Sequence, residues 1–285
     1  SVSAGAASSG SITAAVLAFT AAGCANMRSF RVKPDQTPRP AAGPDDDARL
    51  EPPELPFALA RDDDFVVRVV VANTSCSGTL IDEDQVLTAH HCVAQRDKYG
   101  DFTDKNARPR DIRVELGGDD LPWGEVGVRA VVTPPCGHAA GEGDIAVLIL
   151  ERKLIGVATV KPRLDASPAL GEHVKPVGFG RCALSTEAIS RRHRSGGRID
   201  RLLDSRFRLD ASICPGDSGG PILAEGSGEV VGVISAAVMD GSEATRGRAE
   251  FTRLDRWRSV FASAKAIADG QSASELPPIG GCPPG

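Results

Sequence analysis

Short apolar runs, not helical stripes, organise this chain. Residues 65–72, Phe-Val-Val-Arg-Val-Val-Val-Ala, are β-branched and bounded by Asp64 and Asn73, which predicts a strand. Residues 76–81 predict a second strand, Asp82-Glu-Asp84 a turn, and 85–88 a third strand. Further runs fall at 112–116, 126–133, 145–150, 157–160 and 173–178. Others follow at 198–203, 207–209, 221–223, 230–236 and 249–254. Many short strands with Gly/Pro punctuation predict an all-β sandwich or barrel. The polar stretch 97–110 predicts a surface loop. One helix is expected, over 256–268, capped by Asp255 and stopped at Gly270.

The start of the sequence breaks this pattern. Residues 1–23 carry no charge, and the apolar run 12–22 is too short to span a bilayer comfortably. It reads as the core of a secretory signal, with a disordered Ala/Ser tail as the alternative. The run ends Ala-Ala-Gly-Cys24, which resembles a bacterial lipoprotein box with Cys24 lipidated, a lipid anchor at the N-terminus. Residues 25–60 are Pro/Asp-rich and aperiodic, a linker. The expected organisation is a leader over 1–24, a linker over 25–60, a folded domain over 61–270 and an irregular tail over 271–285.

Composition changes the picture in two places. The net charge of −5, with both signs scattered, is unlike the basic patch that a nucleic-acid partner calls for. Seven cysteines leave six if Cys24 carries lipid, and an even set in an exported protein suggests three disulfides. No Cys-x-x-Cys pair points to zinc.

The candidate chemistry lies in Cys214-Pro-Gly-Asp-Ser-Gly-Gly-Pro221. A serine hydroxyl needs a base beside it, donors for the oxyanion and an exposing bend. Ser218 sits among Gly216, Gly219 and Gly220, which permit such a bend and close ligand approach. An ordinary Asp-Ser-Gly turn between strands is the alternative. Two further stretches stand out, Thr88-Ala-His-His-Cys92 and Gly143-Asp-Ile-Ala-Val-Leu148.

In the order His, Asp, Ser, these three stretches resemble the chymotrypsin/trypsin family of serine endopeptidases, over roughly 65–268. The resemblance implies two six-stranded antiparallel β-barrels packed together, with a C-terminal α-helix. It implies Ser218 as nucleophile and His91, directly before Cys92, as general base. His90 stands where the family usually has Ala, and is expected to be a bystander. Asp144 would orient the imidazole, and the N–H groups of Gly216 and Ser218 would form the oxyanion hole. Ser235 matches a serine that supports the aspartate and lines the cleft. Cys76 and Cys92 match the family's disulfide beside the histidine. Cys214 lacks its usual partner after Ser235, so Cys182 is the expected one, which leaves Cys136 with Cys282; four cysteines allow three connectivities.

The pocket positions implied by the resemblance fall on Ser212, Ser235, Ala237 and Ala249, with Ala236 in place of a usual Trp. They are uncharged and narrow, which predicts a small to medium apolar residue before the scissile bond. No Ile-Val-Gly-Gly-type terminus lies in 49–65. Asp217 is therefore expected either to have no activation partner or to pair with an internal cation such as an Arg. His138, His173 and His193 show no ligand spacing and are expected at the surface. The resulting expectation is a secreted or cell-envelope serine endopeptidase acting on protein or peptide substrates through an acyl-enzyme. No metal or organic cofactor is required, and no nucleic acid is bound. The alternative is a protease-like binding or adhesion module without turnover. An α/β-hydrolase esterase fits less well, since its order is Ser, Asp, His and its nucleophile motif Gly-x-Ser-x-Gly.

Overall fold

The computed structural model describes residues 63–117, 122–138, 142–182, 189–237 and 247–282. The leader, Cys24 and the linker expected over 1–60 lie outside the described residues. What is described is mostly β, in two layers of core, with one α-helix near the end.

Six strands close the first barrel: β1 (Val66–Val71), β2 (Thr74–Asp82), β3 (Gln85–Thr88), β6 (Ile112–Leu116), β7 (Gly124–Val132) and β8 (Ala146–Leu150). Their order is β1-β2-β3-β8-β7-β6, and β6 returns to pair with β1. The β1–β6 register sets Arg68 opposite Glu115, whose side chains form an ion pair at 3.1 Å on the less buried face. Every residue of β8 is buried, which is why its sequence shows no polar alternation. One face fills the barrel; the other is covered by α1 (Arg258–Ala268), whose Val260, Phe261 and Ala264 join the same core.

The second half is an eight-stranded sheet. It runs β10 (Arg192–His193), β9 (His173–Gly178), β14 (Pro221–Ala224), β15 (Val230–Ala237), β16 (Gly247–Arg253), β13 (Arg206–Ala211) and β12 (Arg201–Leu202), with β11 (Gly197–Arg198) also on β9. Its core includes Phe207 and Phe251, opposite each other in register and stacked at 5.3 Å. Val177, Phe179, Val233 and Trp257 instead belong to the first barrel's core, so the two halves share a packed seam. One closed barrel, a second antiparallel sheet and a C-terminal helix are consistent with the expected two-barrel architecture; the second sheet has eight strands where six were expected, and β10, β11 and β12 are only two residues long.

Three local expectations differ. The stretch 97–110 is not a plain loop: β4 (Ala94–Arg96) and β5 (Phe102–Asn106) form a surface hairpin. Its residues are polar because little of it is buried, and Arg96 lies 3.9 Å over the Phe102 ring. Residues 157–160 are not a strand; the Val160 N–H makes a single bond to the Leu80 carbonyl. The helix starts at Arg258, without an Asp255 cap. The Asp255 carboxylate is instead held by Arg253 at 2.6 and 3.0 Å.

The disulfides are Cys76–Cys92, Cys136–Cys282 and Cys182–Cys214. The second ties the C-terminal segment to the first half, and the third anchors the loop that carries Ser218. Among the described residues no helix is long and apolar enough to cross a membrane.

Candidate active site

Three segments meet at the seam. His91 lies in a 3-10 turn over His90–Val93, directly after β3. The Cys76–Cys92 disulfide fixes that turn to β2. Asp144 precedes β8, and Ser218 lies between Cys214 and β14.

Asp144 is buried and holds His91 twice. Its Oδ2 lies 2.9 Å from His91 Nδ1, and its Oδ1 accepts the His91 backbone N–H at 3.0 Å. The Ser235 hydroxyl donates to Asp144 Oδ2 at 2.5 Å, and Thr252 Oγ1 donates to the Asp144 carbonyl at 3.0 Å. Burial acts to raise the Asp144 carboxyl. The charge and hydrogen bonds of His91, with the Ser235 hydroxyl, outweigh it and hold Asp144 below the usual carboxylate value. Asp144 therefore stays ionised and presents an acceptor to Nδ1, which leaves Nε2 as the free base position.

The Ser218 turn is locked from beneath. The Ser77 N–H donates to the Ser218 carbonyl at 2.8 Å, and Ser77 Oγ donates to the Gly216 carbonyl at 2.8 Å. Gly216 and Gly219 have φ of +100° and +82°, a region that side chains rarely adopt. Gly219 also abuts the histidine segment: a Cβ there would collide with Thr88 Oγ1 and the Ser77 carbonyl. These contacts bring the turn against the residues leading into His91. Among the described residues, the N–H groups of Gly216 and Ser218 donate to no protein acceptor. Two adjacent free donors beside a hydroxyl are what an oxyanion site requires. No hydrogen bond joins Ser218 Oγ to His91 here; Nε2 lies 3.7 Å from Cys92 Sγ. Such contacts are often long in ligand-free sites and tighten when substrate is bound.

Asp217, next to the nucleophile candidate, is fully buried and meets Arg194, itself buried, at 2.8 Å. The Gly180 and Cys214 N–H groups donate to the same carboxylate at 2.7 and 2.8 Å. Burial pushes the Asp217 carboxyl up, while Arg194 and these amides act against it. Arg194 is thus the internal cation that the sequence left unnamed. Ser77 and Thr252 were also missed, since a lone Ser or Thr on a strand carries no local signature.

A cavity of about 200 Å³ opens beside Ser218, lined by Ile213, Cys214, Pro215, Ile234, Ser235 and Ala236. It contains no charged side chain. Of the expected pocket positions, Ser235 borders this cavity. Ser212 and Ala249 are buried and do not border it, and Ala237 is paired with Ala249 across β15 and β16. The one group of metal-capable side chains among the described residues is Cys76, His91 and Cys92. Its two sulfurs are consumed by the disulfide, so it offers no thiolate to a metal.

The other histidines divide. His173 and His193 are exposed as expected. His138 is not: its side chain is 15% exposed, and its ring meets that of buried His90 edge-on at 5.0 Å. Burial, and then His138, hold His90 below 6.5, against Asp144, Asn106 and Asp104. The folded protein therefore keeps His90 neutral where the unfolded polypeptide takes up a proton. Stability from this site is complete above pH 6.5 and is lost as pH falls below it towards the lowered folded value. His90→Ala is expected to flatten the acid-side slope of unfolding free energy against pH, by at most about 1.4 kcal/mol per pH unit for one proton. An unchanged slope between pH values near 6.5 and 5 would refute this.

Comparison with known proteins agrees with the fold. Residues 58–259 match the family described as Trypsin. A cercarial protease from Schistosoma mansoni is 26% identical over 200 residues, covering 61% of this chain and 75% of that protein. A peroxisomal leader peptide-processing protease from Mus musculus is 29% identical over 175 residues, 58% of this chain. The match spans only 26% of that second relative's length. A solved structure of a Glu endopeptidase in complex with MPD has a TM-score of 0.55 at 18% identity, covering 74% of this chain and 93% of that one. That last likeness concerns the fold alone. With the family's match spanning most of the sequence and the folded half-barrels arranged accordingly, this protein belongs to the trypsin family of serine peptidases.

Proposed function

We propose that the protein is an exported serine endopeptidase in which Ser218, His91 and Asp144 form the catalytic triad. Ser218 Oγ attacks the substrate carbonyl carbon as His91 Nε2 takes its proton. The oxyanion is received by the N–H groups of Gly216 and Ser218. Collapse of the tetrahedral species breaks the C–N bond, and the amine leaves with the proton from His91. Water, activated by the same imidazole, then hydrolyses the acyl-enzyme. Asp144 orients the ring throughout and does not take the proton.

The observation that carries this reading is the Asp144 carboxylate, held by His91 through both its ring and its backbone N–H and by the Ser235 hydroxyl. A silent binding module has no need of a desolvated carboxylate fixed on one imidazole. The uncharged cavity supports a small to medium apolar residue before the cut. The three disulfides support export, since such bonds persist in oxidising compartments.

A fluorophosphonate probe is expected to label the folded protein at Ser218, as mapped by peptide mass spectrometry, and Ser218→Ala is expected to abolish the label. In the same preparation a peptide library should be cut after small or medium apolar residues. Absence of labelling in folded protein would favour the silent module, and strict cleavage after Arg or Lys would refute the pocket reading.

A further inference from the structure

A larger cavity, about 990 Å³, lies on the first barrel. It runs between the β1–β2 turn at Ala72 and Asn73, the β4–β5 hairpin and the segment 108–113. Cys92 and Phe102 are among its lining residues. Cys92 follows His91 in sequence, and the Phe102 ring meets the His91 ring edge-on at 5.7 Å. The groove therefore passes one side of Phe102, the ring that also packs against His91.

Its walls carry four arginines, Arg96, Arg108, Arg110 and Arg113, against one carboxylate, Asp111. Arg108 neutralises Asp111 at 2.7 Å. Arg96 bonds the Gly100 carbonyl at 2.8 Å and covers Phe102, so no acid offsets its charge there. Arg113 approaches Glu125 only to 3.7 Å, with both side chains about half exposed. Arg110 is exposed and makes no ion pair among the described residues. In a protein of net charge −5 this is a local excess of the opposite sign.

The chemistry fixes which part of a substrate meets this groove. The residue before the cut occupies the cavity of the second sheet. The departing amine collects its proton from His91, so the peptide segment after the cut starts at the imidazole. We propose that this groove is an extended subsite for the segment after the scissile bond, and that it selects acidic side chains in that segment of a polypeptide substrate. The inference rests on the proposed role of His91. Phe102, Val71 and Ala107 give the groove an apolar floor for peptide backbone, and the arginines lie along its walls. Such contacts act on encounter and ground-state binding, so they belong in KM and the association rate, not in kcat.

The test compares quenched peptides identical up to the cut, followed by either alanines or glutamates. At low ionic strength kcat/KM is expected to favour the acidic peptide about five- to tenfold, and the preference should shrink above about 0.15 M salt. Arg110→Gln with Arg113→Gln should remove the preference by raising KM for the acidic peptide; both side chains are exposed, and neutral replacements set no like charge against Glu125. Arg96 is left intact because it packs on Phe102. Equal rates for the two peptides, or a preference that survives the double variant, would overturn the proposal. A p-nitroanilide substrate, which has no residues after the cut, reads the triad alone. If no substrate is turned over, the triad reading fails, and the groove is read by anisotropy of a labelled Glu-rich peptide on Ser218→Ala protein. Binding lost in the double variant supports the groove. Equal binding of a neutral peptide, or tighter binding of a labelled oligothymidylate, overturns it.

Discussion

Asp144→Asn is expected to lower kcat about 10⁴-fold, with KM and the fold little changed; the magnitude is the family's typical one for this substitution. The reason is geometric. Asp144 offers acceptors to both the Nδ1–H and the backbone N–H of His91. An amide in its place keeps one acceptor and adds a donor. With the oxygen retained by the backbone N–H, the new NH₂ faces Nδ1 and favours the tautomer that carries its proton on Nε2. That imidazole cannot take the Ser218 proton. Because Asp144 does not border the cavity beside Ser218, ground-state binding should be spared. The same substitution removes a pH-dependent contribution. With its folded value below the ordinary 3.8, Asp144 stabilises the fold fully above that value, and this is lost as pH falls through the depressed one. Initial rates on an amide substrate, with melting at pH 7 as control, decide the matter. A kcat within tenfold of the parent would remove Asp144 from the mechanism.

Arg194→Ala is expected to cost about 3–5 kcal/mol, since it leaves the buried Asp217 without its counter-charge. For a folded unit of this size that is a drop of about 6–20 °C in melting temperature. Activity should fall further than stability. Asp217 lies between the two N–H donors, and its carboxylate bonds the Cys214 N–H that begins the turn. An unpaired carboxylate there would turn towards water and take the Gly216 and Ser218 donors with it; losing one such donor typically costs about 10²–10³ in kcat. Arg194→Lys should be intermediate, because an ammonium keeps the charge but not the fork that reaches Asp217 and the Gly180 carbonyl together. Calorimetry and kcat on the three proteins test this. Unaltered melting of the Ala variant would mean that the pair contributes nothing net.

What could be read from the sequence follows from how local each signal is. Strands at 85–88, 112–116 and 173–178 have the same bounds in sequence and structure, because apolar runs there end at acidic, glycine or polar residues. Residues 157–160 looked alike but lack a partner strand: apolar content reports burial, not pairing. The hairpin over 94–106 was hidden for the opposite reason, since it is paired but scarcely buried. In the site, Ser218 stood out by its glycine-rich run, and His91 and Asp144 by motifs that, with it, resemble the family's in the order His, Asp, Ser. Ser77 did not, though it holds the Ser218 turn across 139 residues of sequence. Arg194, 23 residues before Asp217, is one arginine among many until the fold buries it. Long-range polar contacts leave no periodicity, so they become visible only in three dimensions.

The Arg194–Asp217 pair also bears on when such a molecule begins to work. A carboxylate satisfied by a side chain of the same folded unit has no vacancy for a newly cut amino terminus. The contact that orders this carboxylate is therefore made by folding, not by a later cut elsewhere in the polypeptide.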